Sequence, residues 1–217
     1  MSTLNEIYRG KIIAIVRGVP CTYILDTAQA LINGGIKMME ITFDQSGEDG
    51  IRETADSIRL LNEKLSNEIL LGAGTVMTPD QVQLAYECGA KYIISPNVDT
   101  EVIQKTKELG MVSIPGAFTP SEAVTAHQAG ADIVKLFPAG LLGTAYIKAI
   151  RSPLPHIPIS AVGGIDENNI GEFFKAGICS VGIGGSLVDT KAILAGDFNM
   201  ITETARKITK AVTWEID

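Results

Sequence analysis

The sequence predicts an α/β fold, a single (β/α)8 TIM barrel spanning residues 1–217, and three observations carry that expectation. Eight short apolar, β-branched runs recur along the chain. Their starts, from Lys11 to Cys179, lie 24 residues apart on average, and alanine-rich segments with helical spacing fill the intervals. A repeat of that size holds one strand and one helix, and eight such units can close into a barrel from about 200 residues upward.

The first unit opens with KIIAIVR (11–17), and YILDTAQALINGG supplies its helix, stopped at Gly34. KMMEITF (37–43) is the second strand. ILLGAGTV (69–76) is the third, followed by the helix PDQVQLAYECGA, which ends at Gly89. KYIISP (91–96) and MVSIPG (111–116) are the fourth and fifth, with helices stopping at Gly110 and Gly130. DIVKLFP (132–138), IPISAVGG (157–164) and CSVGIGG (179–185) complete the set, with a helix stop at Gly177 between the last two. Glycine at these stops suits the left-handed conformation that ends many helices. A final helix, Phe198 to Trp214, sets Ile201, Ala205, Ile208 and Val212 along one face.

The structural rival is a doubly wound open sheet. It would favour a dinucleotide fingerprint, and the glycines after the third run, Gly72-Ala73-Gly74-Thr75-Val76-Met77, lack the third glycine of that motif. No Pro/Gly/Ser linker divides the chain, so no domain boundary is drawn. Composition narrows the function classes. With 46% hydrophobic and 20% charged residues the chain can bury a large core, and a net charge of −7 disfavours nucleic acid as a partner. Cys21, Cys88 and Cys179 lie far apart, which points to a reducing cytoplasm. The N-terminus lacks a signal-peptide core and no apolar run reaches the roughly eighteen residues of a membrane span, so neither export nor a membrane is expected.

Side chains alternate across a strand, so parity sorts the candidates for the barrel interior. Ile13, Ile15 and Arg17 share a face, as do Met38, Glu40 and Thr42, then Leu71, Ala73 and Thr75, then Ile133, Lys135 and Phe137. Each face starts apolar and carries a polar or ionisable group toward its C-terminal side, where barrels of this kind place their chemistry. Lys135 interrupts an otherwise apolar strand. Desolvation there would lower its pKa toward the neutral amine that a Schiff-base nucleophile needs, although a structural pair with Glu40 would fit the same position. Glu40 could move protons or serve as a counter-ion. Arg17 suits a carboxylate or phosphate grip, or a solvated strand end, and Thr75 offers a hydroxyl and a backbone donor, or an ordinary turn. Gly163-Gly164 and Gly184-Gly185-Ser186 place two loops of exposed backbone N–H groups side by side, a phosphate cradle. With only His127 and His156, a three-histidine zinc site is impossible, and no metal is assigned. Counting alone leaves a carboxylate site of Glu40 with Asp44 or Asp49 open.

The motifs IIAIVRG, MEIT, GAGTV, ISPN, IPGAFTPSEA, VKLFPA, AVGGI and GIGGS, in that order, resemble the class I aldolases. Their substrates are 2-keto-3-deoxy-6-phosphogluconate, its galactonate epimer and 4-hydroxy-2-oxoglutarate. The resemblance covers nearly the whole chain. It implies a TIM barrel, a homotrimer, no cofactor, and a phosphorylated keto acid cleaved to pyruvate and an aldehyde. It assigns the Schiff base to Lys135, proton shuttling to Glu40, and the pyruvate carboxylate to Thr75. Phe137 and Pro96 join the substrate pocket by the same likeness, and Gly163, Gly164, Gly185 and Ser186 hold the phosphate. One departure stands out: phosphogluconate-type members read EVTLRT or EITLRT after the glutamate, and here Asp44 replaces that arginine. Arg17 is then the expected carboxylate partner. Two rival readings keep the phosphate site: an isomerase or metal-dependent lyase, and a non-catalytic sugar-phosphate binding protein.

Overall fold

The computed structural model describes residues 2–212. Its strands, in chain order, are β1 Ile12–Val16, β2 Met38–Thr42, β3 Leu70–Gly74, β4 Tyr92–Ile94, β5 Val112–Ile114, β6 Gly116–Ala117, β7 Val134–Leu136, β8 Ile159–Val162 and β9 Ser180–Ile183. They form one parallel sheet in the order β5-β4-β3-β2-β1-β9-β8-β7-β6. Apart from the fifth, each lies inside the run expected for it, shortened by one or two residues at each end.

The ninth strand arises because the fifth run breaks at Pro115, which has no N–H to give to a ladder. The half before it, β5, pairs with β4, and the half after it, β6, pairs with β7. The ring is closed through this broken run: Asp132 N–H donates to Ser113 O at 3.0 Å, Lys135 N–H to Pro115 O at 2.8 Å and Phe137 N–H to Ala117 O at 3.1 Å. The eight-unit barrel is therefore the observed architecture, with one strand in two pieces.

The helices are α1 Thr3–Gly10, α2 Ile24–Asn33, α3 Glu48–Leu65, α4 Pro79–Glu87, α5 Thr100–Glu108, α6 Pro120–Gln128, α7 Ala139–Arg151, α8 Ile170–Lys175, α9 Thr190–Leu194 and α10 Phe198–Val212. Their starts follow local chemistry. Thr78 caps α4 ahead of Pro79, Asp99 caps α5, and Thr119 with Glu122 forms a reciprocal capping box at α6. Four of the expected glycine stops, Gly89, Gly110, Gly130 and Gly177, have positive φ. Gly34 does not. Its φ is −85° and the left-handed residue is Gly35; Gly34 is small because a Cβ there would collide with Ala205 of α10. Ile201, Ala205, Ile208 and Val212 are buried on α10 as expected, while positions 213 and 214 of that expectation lie outside the described residues.

Two apolar layers sandwich the sheet. Inside the barrel, Ile13, Met38, Tyr92, Ile94, Val112, Ile114 and Ile133 pack together, and Ile7 of α1 joins them from below. Outside, Ala14, Met39, Ile41, Leu71, Ala73 and Ile93 pack toward the helices. This division corrects one sequence expectation. Leu71 and Ala73 face the helices, so the inward residues of β3 are Leu70, Gly72 and Gly74. Large side chains from β2 and β4 fill the space those glycines leave, so the inward face of β3 carries almost no apolar signal in its own sequence.

Candidate active site

Strand alternation on β7 sets Ile133 in the interior core, Lys135 one step above it, and Phe137 at the mouth. Lys135 is 5% exposed and its ammonium nitrogen lies 5.0 Å from the centroid of the Phe137 ring. On β2 the same step above Met38 is Glu40, 2% exposed, with Oε2 lacking a hydrogen-bond partner among the described residues. The carboxylate fits because β3 carries Gly74 opposite Thr42; any Cβ at Gly74 would collide with it. Burial pushes the Lys135 ammonium below the ordinary lysine range, against the attraction of Glu40 and with help from the Arg17 charge. Burial pushes the Glu40 carboxyl upward, against the attraction of Lys135 and Arg17. Both directions favour an uncharged amine beside an uncharged acid.

Above this pair, at the C-terminal end of the strands, opens a cavity of about 490 Å³. Arg17, Lys135, Phe137, Gly163, Gly164, Gly185 and Ser186 line it together, although they come from four separate units of the chain. The two glycine loops are fixed by hydrogen bonds. Ser186 Oγ donates to Ile165 O at 2.8 Å, Gly140 N–H to Gly163 O at 2.7 Å, and Asn169 Nδ2 to Gly164 O at 2.9 Å. Gly163 and Gly164 hold φ of +89° and +74°, and a Cβ on Gly140 would collide with both of them, so the turn after β8 and the start of α7 approach as closely as they do only with glycine on each side.

Three sequence candidates stand apart from the lining. Glu40 is buried on β2 in register with Ile15, which does line the cavity, and Thr75 and Pro96 follow β3 and β4. Thr75 has φ +52°, so the simple alternation of β3 no longer fixes where its side chain points. The cavity also takes in Ile15, Val162, Gly182, Asp166 and Thr190. Parity could have found the first three, which precede Arg17, Gly164 and Gly184 by two residues on their strands; Asp166 and Thr190 sit at helix approaches with no comparable signal. Among the described residues, no three His, Cys, Asp or Glu side chains are placed to share a metal ion, and no helix is long and apolar enough to cross a membrane.

A closed parallel barrel with a buried lysine and acid beside a glycine-lined cavity at the C-terminal ends of its strands defines an α/β-barrel protein with its candidate site where such barrels place their chemistry. More narrowly, the chain belongs to the aldolase family described as KDPG and KHG aldolase, whose model matches residues 4–204. It is similar to a probable 2-dehydro-3-deoxy-6-phosphogalactonate aldolase of Rhizobium meliloti, 39% identical over 81% of each chain. It also resembles the 2-dehydro-3-deoxy-phosphogluconate aldolase of Treponema pallidum, 35% identical over 85% of each. Among solved structures, a KDPG aldolase from Legionella pneumophila, in which pyruvate was captured as a covalent carbinolamine, superposes with a TM-score of 0.86 at 27% identity, covering 96% of this chain and 98% of that one.

Proposed function

We propose that the protein is a Schiff-base aldolase that reversibly cleaves 2-keto-3-deoxy-6-phosphogluconate or its galactonate epimer to pyruvate and D-glyceraldehyde 3-phosphate. 4-Hydroxy-2-oxoglutarate, cleaved to pyruvate and glyoxylate, is the second candidate substrate, and pyruvate release from each compound compares them. The observation that carries this reading is Lys135: a lysine held toward its neutral form by burial, at the floor of a cavity whose far wall is a double glycine cradle.

In this reading the neutral Lys135 amine attacks the C2 ketone, and the acid form of Glu40, which burial favours, gives its proton through water to the departing hydroxyl of the carbinolamine. The resulting iminium is an electron sink. Glu40, now a carboxylate, accepts the C4 hydroxyl proton as the C3–C4 electron pair moves into the imine, releasing the aldehyde and leaving an enamine. Glu40 returns that proton to C3, and water hydrolyses the imine to pyruvate and free amine. Arg17 and Thr75 grip the substrate carboxylate, Phe137 and Pro96 shape the pyruvyl end, and backbone N–H groups around Gly163, Gly164 and Gly185 hold the phosphate, with Ser186 tying the two loops. No cofactor takes part. A homotrimer in the cytoplasm is part of the proposal, supported by the family resemblance and the scattered cysteines.

The test is borohydride reduction in the presence of pyruvate. Wild-type protein should gain a pyruvyl adduct at Lys135, found by peptide mass mapping, and Lys135→Ala should gain none. An adduct retained in Lys135→Ala, or no adduct in the wild type, would remove Lys135 from the nucleophile role.

A further inference from the structure

The loop after β2, where Asp44 stands in place of an arginine, is tied into the site by its next residue. Asp44 itself turns back on its own loop: its Oδ1 accepts the Ser46 N–H at 2.9 Å, and its carboxyl group sits where Gly50 lacks a Cβ. Gln45 instead reaches across to the turn after β3. Its Nε2 donates to Thr75 O at 2.7 Å, and its Oε1 accepts from Gln81 Nε2 at 2.9 Å. Gln81, buried in the first turn of α4, accepts the Met77 N–H on its own Oε1 at 2.8 Å.

This amide clasp encloses the one residue of the site with an unfavourable backbone. Thr75 has φ +52°, and the other described non-glycine with positive φ, Lys11, lies at the opposite end of β1. A β-branched residue in that region is a steric outlier that persists only where its surroundings over-determine it. The clasp supplies that determination from both sides, gripping the Thr75 carbonyl and the amide of Met77 two residues on.

We propose that Gln45 is a positioning residue for the keto-acid carboxylate: through the Thr75 carbonyl and Gln81 it holds the Thr75 turn in the geometry that receives that group. The inference rests on the aldolase reading. It explains how the loop can lose its arginine and still serve the carboxylate end of the site, with Arg17 as the charge and Thr75 as the oriented donor.

The test compares pyruvate with acetone, which has the same ketone and no carboxylate, as substrates for borohydride trapping at Lys135. Gln45→Met keeps the length of the side chain, adds no charge and removes the clasp. It should raise the half-saturating pyruvate concentration about tenfold, equivalent to about 1.4 kcal/mol, and leave that for acetone unchanged. An unmoved pyruvate value, or equal shifts for both ketones, overturns the proposal. Should Gln45→Met fold poorly, Gln45→Ala gives the same comparison. Absence of any pyruvate adduct in the wild type would instead bring down the aldolase reading, so the two failures are separable.

Discussion

At the scale of single residues, the Lys135 and Glu40 pair was legible because an ionisable side chain in an apolar strand has few bland explanations. Gln45 was not legible, since it lies in a loop and its partner is thirty residues away. Glu40 offers a sharp test of how the pair works. Its carboxyl pKa is raised by burial above the ordinary 4.5, so between those two values the folded chain keeps a proton that the unfolded chain has lost. Stability from this group is thus present below pH 4.5 and lost as pH rises through the raised folded value. Lys135 acts in the opposite sense: its contribution is present above the ordinary 10.5 and lost as pH falls through its lowered folded value. Glu40→Gln preserves volume and the neutral state. Its melting temperature should match or exceed wild type on the alkaline side of neutrality, while cleavage slows by about 10²- to 10⁴-fold. Melting well below wild type at every pH would mark the carboxyl as a structural group.

At the scale of elements, strand positions were readable to within one or two residues, and the error lay in which face of β3 looks inward. The sequence Leu70-Leu71-Gly72-Ala73-Gly74 puts its apolar signal on Leu71 and Ala73, yet these pack against helices. The interior is filled from the neighbouring strands: the Tyr92 ring occupies the space beside Gly72, and the Glu40 carboxyl the space beside Gly74. Registers pair Glu40 with Gly72 and Gly72 with Tyr92, so the three form one row across β2, β3 and β4. A single strand's sequence cannot reveal that its glycines are small for the sake of their neighbours. Gly72→Ala should therefore cost about 1–3 kcal/mol of unfolding free energy in urea. Adding Tyr92→Leu, which vacates the space, should recover part of it, giving a measurable coupling between the two positions. A neutral Gly72→Ala would mean that Ala73 faces the interior after all.

At the scale of the whole molecule, a net charge of −7 and the anionic substrate proposed here are compatible because attraction is local: Arg17 lines the same cavity as the two glycine loops proposed to hold the phosphate. The fold's eight units were visible in the repeat, while the break at Pro115 and the closure through it depend on hydrogen bonds between distant segments. The same scale raises the question of assembly. Three large apolar side chains near the C-terminal ends of β6 and β7 stay in solvent: Phe118 at 46%, Phe137 at 42% and Leu141 at 87% exposure. Phe137 has the cavity to explain it, but an almost fully exposed leucine at the start of α7 has no such reason within one chain. In the homotrimer proposed for this protein, a neighbouring chain would cover it. Sedimentation equilibrium should accordingly give about three times the 23.1 kDa chain mass. Leu141→Glu should shift the mass toward a single chain while saturating pyruvate still labels Lys135, since Arg17, Phe137 and the glycine loops that line the cavity with it all belong to the same chain. A wild-type mass of one chain at micromolar concentration would refute the trimer and leave Leu141 to another role.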